Sequence, residues 1–229
     1  MQDQPLVSVI MPVFNAEKYV KEAVESVLAQ MHRHIEIICV NDASTDGSLE
    51  VLRSFGDAIR LIDSPENTGS GEARNKGVSL AGGDFIAFLD ADDVWKPGKL
   101  AAQLDRFAAN PALDLSFTHL QCFASPELSD EVKKLRYCDP DPMPGRIAGT
   151  MLARASFFRK AGLFDPRWRV GEFIDWIAKA EEAGLVSEVI PEVFLMRRIH
   201  ETNTGVTERA SRADYLKIVR ESLGRKKEK

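Results

Sequence analysis

Residues 7–40 read VSVIMPVFNAEKYVKEAVESVLAQMHRHIEIICV. The run 7–14 is apolar and rich in β-branched side chains, the pattern of a strand buried on both faces of a parallel sheet. Asn15 then stands where a helix N-cap is expected. Behind it Val20, Ala23, Val24, Val27 and Leu28 recur at helical spacing, predicting an amphipathic helix that ends near His32. A second buried strand is predicted at 36–40.

The alternation continues outward from this unit. Helix signals span 45–55 and 71–81, and strand signals span 59–62 and 84–89. Strands alternating with helices of this length build right-handed βαβ units around a mostly parallel sheet, so the fold class is α/β. After Pro97 a helix is expected over 99–109, halted by Asn110-Pro111, and then a strand over 115–123. Residues 124–145 hold four prolines and many charges and read as an irregular segment, either a binding loop or lid or an insertion with no role of its own. Beyond it the pattern predicts a strand at 146–154, a helix at 173–183 and an extended segment at 186–198 broken by Pro191. An amphipathic helix is predicted over 209–223. The expected organisation is one domain, 1–205, followed by a helical basic tail, 206–229.

Of 229 residues, 44% are hydrophobic and 28% charged, with a formal net charge of -5. A chain of that profile is an ordinary globular protein with a sizeable core. The acidic total argues against a nucleic-acid partner, which would want concentrated Lys and Arg. The charge is uneven, however. Residues 206–229 carry eight basic and four acidic side chains, which leaves -9 on the remainder. Cys39, Cys122 and Cys138 form neither a disulfide framework nor a zinc spacing. With no signal-like start and no apolar run of ~18 residues, the expected location is cytoplasmic. The basic tail is a candidate for peripheral contact with the inner face of a membrane.

Chemistry concentrates at strand ends. In Phe88-Leu89-Asp90-Ala91-Asp92-Asp93 an apolar strand runs into three carboxylates within four positions. Packed acids repel unless a cation neutralises them, and a hard divalent ion accepts carboxylate oxygens. A solvated turn with Asp93 capping a helix is the plain alternative. Asp42 follows the strand IICVN in the equivalent position, where open parallel sheets bind ligands; an Asx turn would also account for it. Asn67-Thr68-Gly69-Ser70-Gly71-Glu72-Ala73-Arg74-Asn75 lies between strand and helix and could present backbone N–H groups to an anion. It is not a dinucleotide fingerprint, because Arg74 stands where G-x-G-x-x-G needs glycine.

Taken in order and spacing, PVFN (12–15), VNDASTDGS (40–48), NTGSGEARNKG (67–77) and FLDADD (88–93) resemble the family 2 glycosyltransferases of GT-A fold. The resemblance is dense over 5–100 and weaker through FFRKAGLFDPRW (157–168). It implies a Rossmann-like three-layer sandwich that binds a nucleotide-sugar donor, commonly a UDP-sugar. It also implies that Asp42, Asn67, Arg74, Asp90 and Arg198 contact the donor, and that Asp90, Asp92 and His200 hold a divalent cation, Mn or Mg. Inverting transfer to a hydroxyl acceptor needs a carboxylate base, normally in a Glu-Asp pair opening a late helix. Here that stretch is Gly171-Glu172-Phe173-Ile174-Asp175, so phenylalanine occupies the second acid's place. Glu172 and Asp175, one turn apart, are both candidates for the base, and a degenerate relative that binds the donor without turnover is the alternative function. The acceptor could be a glycan, a lipid-linked glycan or a small molecule, and a homodimer is left open. A nucleotidyltransferase would carry a glycine-rich basic loop where PVFNAEKY stands, and a glycosidase has no use for the strand-end acid cluster.

Overall fold

The computed structural model describes residues 4–128, 141–201, 203 and 213–227. Its centre is β1 (Val7–Val13), paired in parallel register with β2 (Ile35–Asn41) on one side and β4 (Phe85–Phe88) on the other. β3 (Arg60–Asp63) extends the parallel set beyond β2. These strands read as continuous apolar runs because both faces are covered. Val7, Val9, Met11 and Val13 enter one core, with α1 (Val20–Leu28), α2 (Ser48–Arg53) and α4 (Lys99–Ala109). Ile10, Ile38 and Phe88 enter the other, with α3 (Ser70–Leu80), α5 (Ala155–Ala161) and α6 (Glu172–Glu182). The α/β class and the three-layer arrangement expected from the sequence are therefore present.

The second half of the sheet departs from simple βαβ winding. Among the described residues the strand order is β3-β2-β1-β4-β8-β6-β9-β5, with β7 (Met143–Pro144) alongside β6 (Leu115–Ala124). β8 (Leu152–Arg154) runs antiparallel to both β4 and β6. β9 (Ser187–Ile199) runs parallel to β6 and antiparallel to β5 (Val94–Trp95). That long return delivers the end of β9 to the segment following β4.

Several local expectations are corrected. Asn15 does not cap α1, which begins at Val20; it adopts φ 49° and its side-chain oxygen accepts from the Thr45 backbone N–H at 2.8 Å, stitching the loops after β1 and β2 together. Pro191 does not break β9. It falls where the pairing slips, between Thr118↔Ile190 and His119↔Val193, so an irregularity absorbs the missing N–H. The strand expected over 146–154 is a 3₁₀ turn, Ala148–Thr150, and only three residues of strand. Cys138 and most of the 124–145 segment lie outside the described residues. The final helix, α7, is described over Ala213–Lys227 and packs on α6; residues 209–212 of the expected helix lie outside the described residues.

Close approach explains one glycine. A β-carbon on Gly77 would stand 2.4 Å from Ile10 Cγ2, so glycine lets α3 lie directly on β1.

Candidate functional site

The ends of β1, β2 and β4 open on the same edge of the sheet, and the predicted residues collect there. Leaving β4, the chain forms a tight turn in which the Asp93 N–H donates to the Asp90 carbonyl at 3.1 Å. The three acids then separate by environment. Asp90 is half-exposed and its Oδ1 accepts from Arg74 Nη2 at 2.6 Å. Asp92 Oδ2 lies 2.8 Å from His200 Nε2 and 3.2 Å from Asn203 Nδ2. Asp93 is buried beneath them and accepts the Arg198 backbone N–H at 2.8 Å. Burial first, and then the charges of Asp92 and Asp90, hold the Asp93 carboxyl well above the usual carboxylate range.

Arg74 projects from α3 and is buried between two acids. Its Nη1 lies 2.5 Å from Glu172 Oε1, opposite the Asp90 contact. Burial opposes the charge on the guanidinium, but Asp90 and Glu172 together hold its pKa above the ordinary arginine value. Ser70 Oγ also donates to Glu172 Oε1 at 2.9 Å. Glu172 opens α6 and reaches α3 at this distance because Gly71 lacks a side chain: a β-carbon there would meet Glu172 Cγ at 3.2 Å. Ser70, Arg74, Glu172 and Asp90 thus form one hydrogen-bonded chain across the crevice mouth.

Asp175 is not part of it. Its side chain turns toward α7 rather than α3, where Lys179 on its own helix and Arg225 on α7 meet it. It is fully buried, 2.6 Å from Lys179 Nζ and 3.7 Å from Arg225 Nη2, and neither carboxylate oxygen has a well-angled hydrogen bond. The expectation that Glu172 and Asp175 share a face of the crevice is corrected accordingly. Phe173 packs in the core beside Phe117, Phe164 and Trp176, with ring centroids 6.5, 6.3 and 6.0 Å away.

Asp42 anchors a loop. Its carboxylate accepts from the backbone N–H groups of Thr68 at 3.0 Å and Gly69 at 2.8 Å, and from Thr68 Oγ1 at 3.0 Å. Asn67 Nδ2 donates to the Asp42 carbonyl at 3.1 Å and receives Arg169 Nη2 on its Oδ1 at 2.7 Å. Asp42 and Asn67 therefore shape the entry to α3, with Gly69 at φ 91° making the turn.

Arg198 is corrected more fully. Instead of facing the crevice it is buried behind the acid turn, where its Nε donates to the Asp92 carbonyl at 2.9 Å. Its guanidinium pairs with Glu22 on α1 and lies over the rings of Tyr19 and Phe123, 5.0 and 4.6 Å from their centroids. Tyr19 also lies against His200 with the rings tilted by 38° and their centroids 4.7 Å apart, and it donates its hydroxyl to Glu127. Tyr19, Asn203, Arg169 and Ser70 went unread in the sequence. Only Ser70, inside NTGSGEARN, carried a local signal.

The donor set at the acid turn fits a divalent cation: two carboxylates and one imidazole, with His200 already at contact distance from Asp92. Among the described residues no group of three or more His, Cys, Asp or Glu side chains converges as a ready cage. Any ion held here would draw further ligands from its substrate or from water. Nor is any described helix long and apolar enough to cross a membrane.

Comparison with known proteins supplies a frame for this geometry. Residues 8–160 match the model of Glycosyl transferase family 2. The chain is 44% identical over 118 residues to the putative teichuronic acid biosynthesis glycosyltransferase TuaG of Bacillus subtilis, covering 50% of this chain and 46% of that one. It is 32% identical over 217 residues to an uncharacterized glycosyltransferase of Rickettsia prowazekii, covering 87% of this chain and 66% of the other. It therefore spans less than two thirds of the length of these relatives. In structure it resembles S. aureus TarS in complex with UDP-GlcNAc, with TM-score 0.70 and 19% identity over 86% of this chain and 59% of that one. It also resembles a mannosyltransferase from Pyrobaculum calidifontis in complex with GDP-Man and Mn2+, with TM-score 0.66 and 20% identity over 88% and 59%.

Proposed function

The chain belongs to glycosyltransferase family 2, and from that premise we propose that it transfers a sugar, with inversion, from a nucleotide-diphosphate sugar to a hydroxyl acceptor. The observation that carries this reading is the Asp90–Arg74–Glu172 chain, which ties the acid turn after β4 to the carboxylate opening α6. It sets the acid turn, which we assign to the cation, and the Glu172 carboxylate, which we assign as the base, on opposite sides of one crevice, and this supports the reading. The donors seen with TarS and the Pyrobaculum enzyme, UDP-GlcNAc and GDP-Man, indicate the class of molecule.

Phe14, 48% exposed at the end of β1, offers a flat apolar face for the nucleotide base. The Val13 carbonyl accepts the Asp42 N–H at 2.8 Å, so Phe14 is held beside the loop that Asp42 and Asn67 organise. Asp92, Asp90 and His200 would hold the Mn or Mg ion. When bound, such an ion offsets the negative charge that develops on the leaving diphosphate. Arg198 supports this wall from behind by fixing the Asp92 carbonyl and the Asp93 carboxyl.

Glu172 is the base. Arg74 and Ser70 both bind its Oε1, which aims the carboxylate across the crevice and leaves Oε2 the role of accepting the acceptor's hydroxyl proton. Removing that proton raises the nucleophilicity of the oxygen as the bond from sugar to diphosphate breaks. Asp175, enclosed by Lys179 and Arg225, has the structural task of joining α6 to α7.

The test is nucleotide release from a panel of UDP- and GDP-sugars with Mn present, scored beside the shift in Tm. At least one donor should be cleaved, and Glu172→Gln should lower the rate on the order of 10²-fold or more while still binding donor. Asp175→Asn should retain the rate in whatever fraction stays folded. If no donor is cleaved and none raises Tm, the catalytic reading is wrong. Donor binding with turnover indifferent to Glu172→Gln would favour a binding protein, a reading that the phenylalanine at 173 supports.

A further inference from the structure

The terminal helix α7 has two faces, and only one is used by the fold. On the inner face Ile218 is buried, Tyr215 and Ile218 cover Gly171, and Arg225 clasps Glu182 with Nε 3.0 and 3.1 Å from its two oxygens. Glu221 completes the attachment at 3.3 Å from Arg167. The helix is therefore fixed against the start of α6, with Ile218 Cδ1 2.8 Å from where a β-carbon on Gly171 would lie. The outer face is apolar. Leu216, Val219 and Leu223, spaced i, i+3 and i+7, are 64%, 50% and 56% exposed, and Tyr215 at 39% borders them. A soluble surface normally scatters such residues singly, whereas here they form one stripe.

The charges beside that stripe identify its occupant. At 100° per residue Arg220 falls on one flank of Leu216–Val219–Leu223, while Lys217 lies further round beside its partner Asp214, and Asp214 and Glu221 fall toward the body. Asp214 is paired with Lys217 at 3.0 Å and Glu221 with Arg167, so the acids of this helix are turned to local partners. The sequence continues with Arg225-Lys226-Lys227, and residues 206–229 carry net +4 against -9 for the rest. An apolar stripe flanked by an arginine, within a basic segment and on a rigidly held helix, is complementary to a surface that is anionic at its face and apolar just beneath.

We infer that the outer face of α7 docks the protein onto an anionic lipid surface, with Leu216, Val219 and Leu223 entering the headgroup boundary and Arg220 meeting the phosphates. Because the inner face of α7 sits on Gly171, which precedes Glu172, the helix that docks also packs against the start of α6, so docking would set the orientation of the crevice relative to the lipid. The docking itself does not depend on the proposed transfer.

The experiment is co-sedimentation of the full chain with vesicles of phosphatidylcholine alone and with ~30% phosphatidylglycerol, at low and at ~0.5 M NaCl. Binding is expected only to the anionic vesicles and should be released by salt. Leu216→Glu with Leu223→Glu should weaken it at least ~10-fold, and Arg220→Gln by about 5-fold, both with unchanged Tm because these side chains are exposed. Val219→Gln, a milder change, should weaken it several-fold and serves if the double variant unfolds. Binding that ignores lipid charge, or that survives the Leu variants, overturns the inference. So does a stable dimer in sedimentation velocity that Leu216→Glu with Leu223→Glu converts to monomer without any vesicle binding.

Discussion

Replacing Arg74 with methionine tests the bridge on which the site depends. The substitution keeps most of the side-chain volume but removes the guanidinium from between Glu172 and Asp90. Taking one partner from a buried ion pair costs about 3–5 kcal/mol, because the other charge is left unpaired. The two halves of this bridge are unequal: the Glu172 side chain is 10% exposed, whereas Asp90 at 41% can return to water. Only the Glu172 half carries the full penalty, so the expected loss is about 3 kcal/mol, at the low end. For a chain of this size that is roughly 6–12 °C in Tm. Adding Glu172→Gln to Arg74→Met should recover about 2 kcal/mol, since a neutral amide can still accept the Ser70 hydroxyl and no charge is stranded. Urea denaturation followed by circular dichroism on the two single variants and the double supplies the cycle. Arg74→Met losing under ~1 kcal/mol, or a double variant losing the sum of the singles, would refute the reasoning.

Three further outcomes are expected. Burial pushes the Lys99 ammonium well below its ordinary 10.5, although the Trp95 ring 4.0 Å from Nζ offsets part of this. The unfolded chain then binds one more proton than the folded chain between the lowered value and 10.5. Stability should therefore rise with pH through that window, and Lys99→Met should flatten the rise in a urea series across pH. Phe173→Asp places a carboxylate among Phe117, Phe164 and Trp176 and should cost at least ~4 kcal/mol, with no gain in nucleotide release; a stable, faster variant would contradict the packing. Mn at about 100 times its Kd should raise Tm by roughly 5–11 °C, and Asp92→Asn or His200→Ala should abolish most of that rise in thermal-shift assays.

What the sequence disclosed and what it concealed follow from the range of the forces involved. The first four strands were legible because β1, β2 and β4 are covered on both faces, which leaves uninterrupted apolar runs. The acid turn was legible because three carboxylates in four positions have few structural explanations. Arg198 was misplaced for the opposite reason. Its neighbour in the motif, His200, does meet Asp92, but nothing local distinguishes a side chain that faces the crevice from one turned under it, toward Glu22 and Asp93. Spacing alone groups Asp175 with Glu172, because residues three apart share a helix face; the direction of its side chain is set by Lys179 and by Arg225, and the second of these lies on an element that spacing within α6 does not foresee. Tyr19 carried no signal, since its partners Glu127 and His200 lie 108 and 181 positions away. Asn15 was read as a cap because its type suits one, while its left-handed backbone and its bond to Thr45 depend on a second loop.

The return of β9 to the acid turn also sets an order of events during synthesis. Asp93 waits for the Arg198 N–H 105 positions later, and Asp92 waits for His200 108 positions later. At 5–20 residues per second, that is on the order of 5–20 s in which β1, β2 and β4 can pair while Asp92 and Asp93 lack these partners. The acid turn is present in the chain long before the segment that carries Arg198 and His200 has been made. The candidate site is consequently among the last parts of this molecule to acquire its final form.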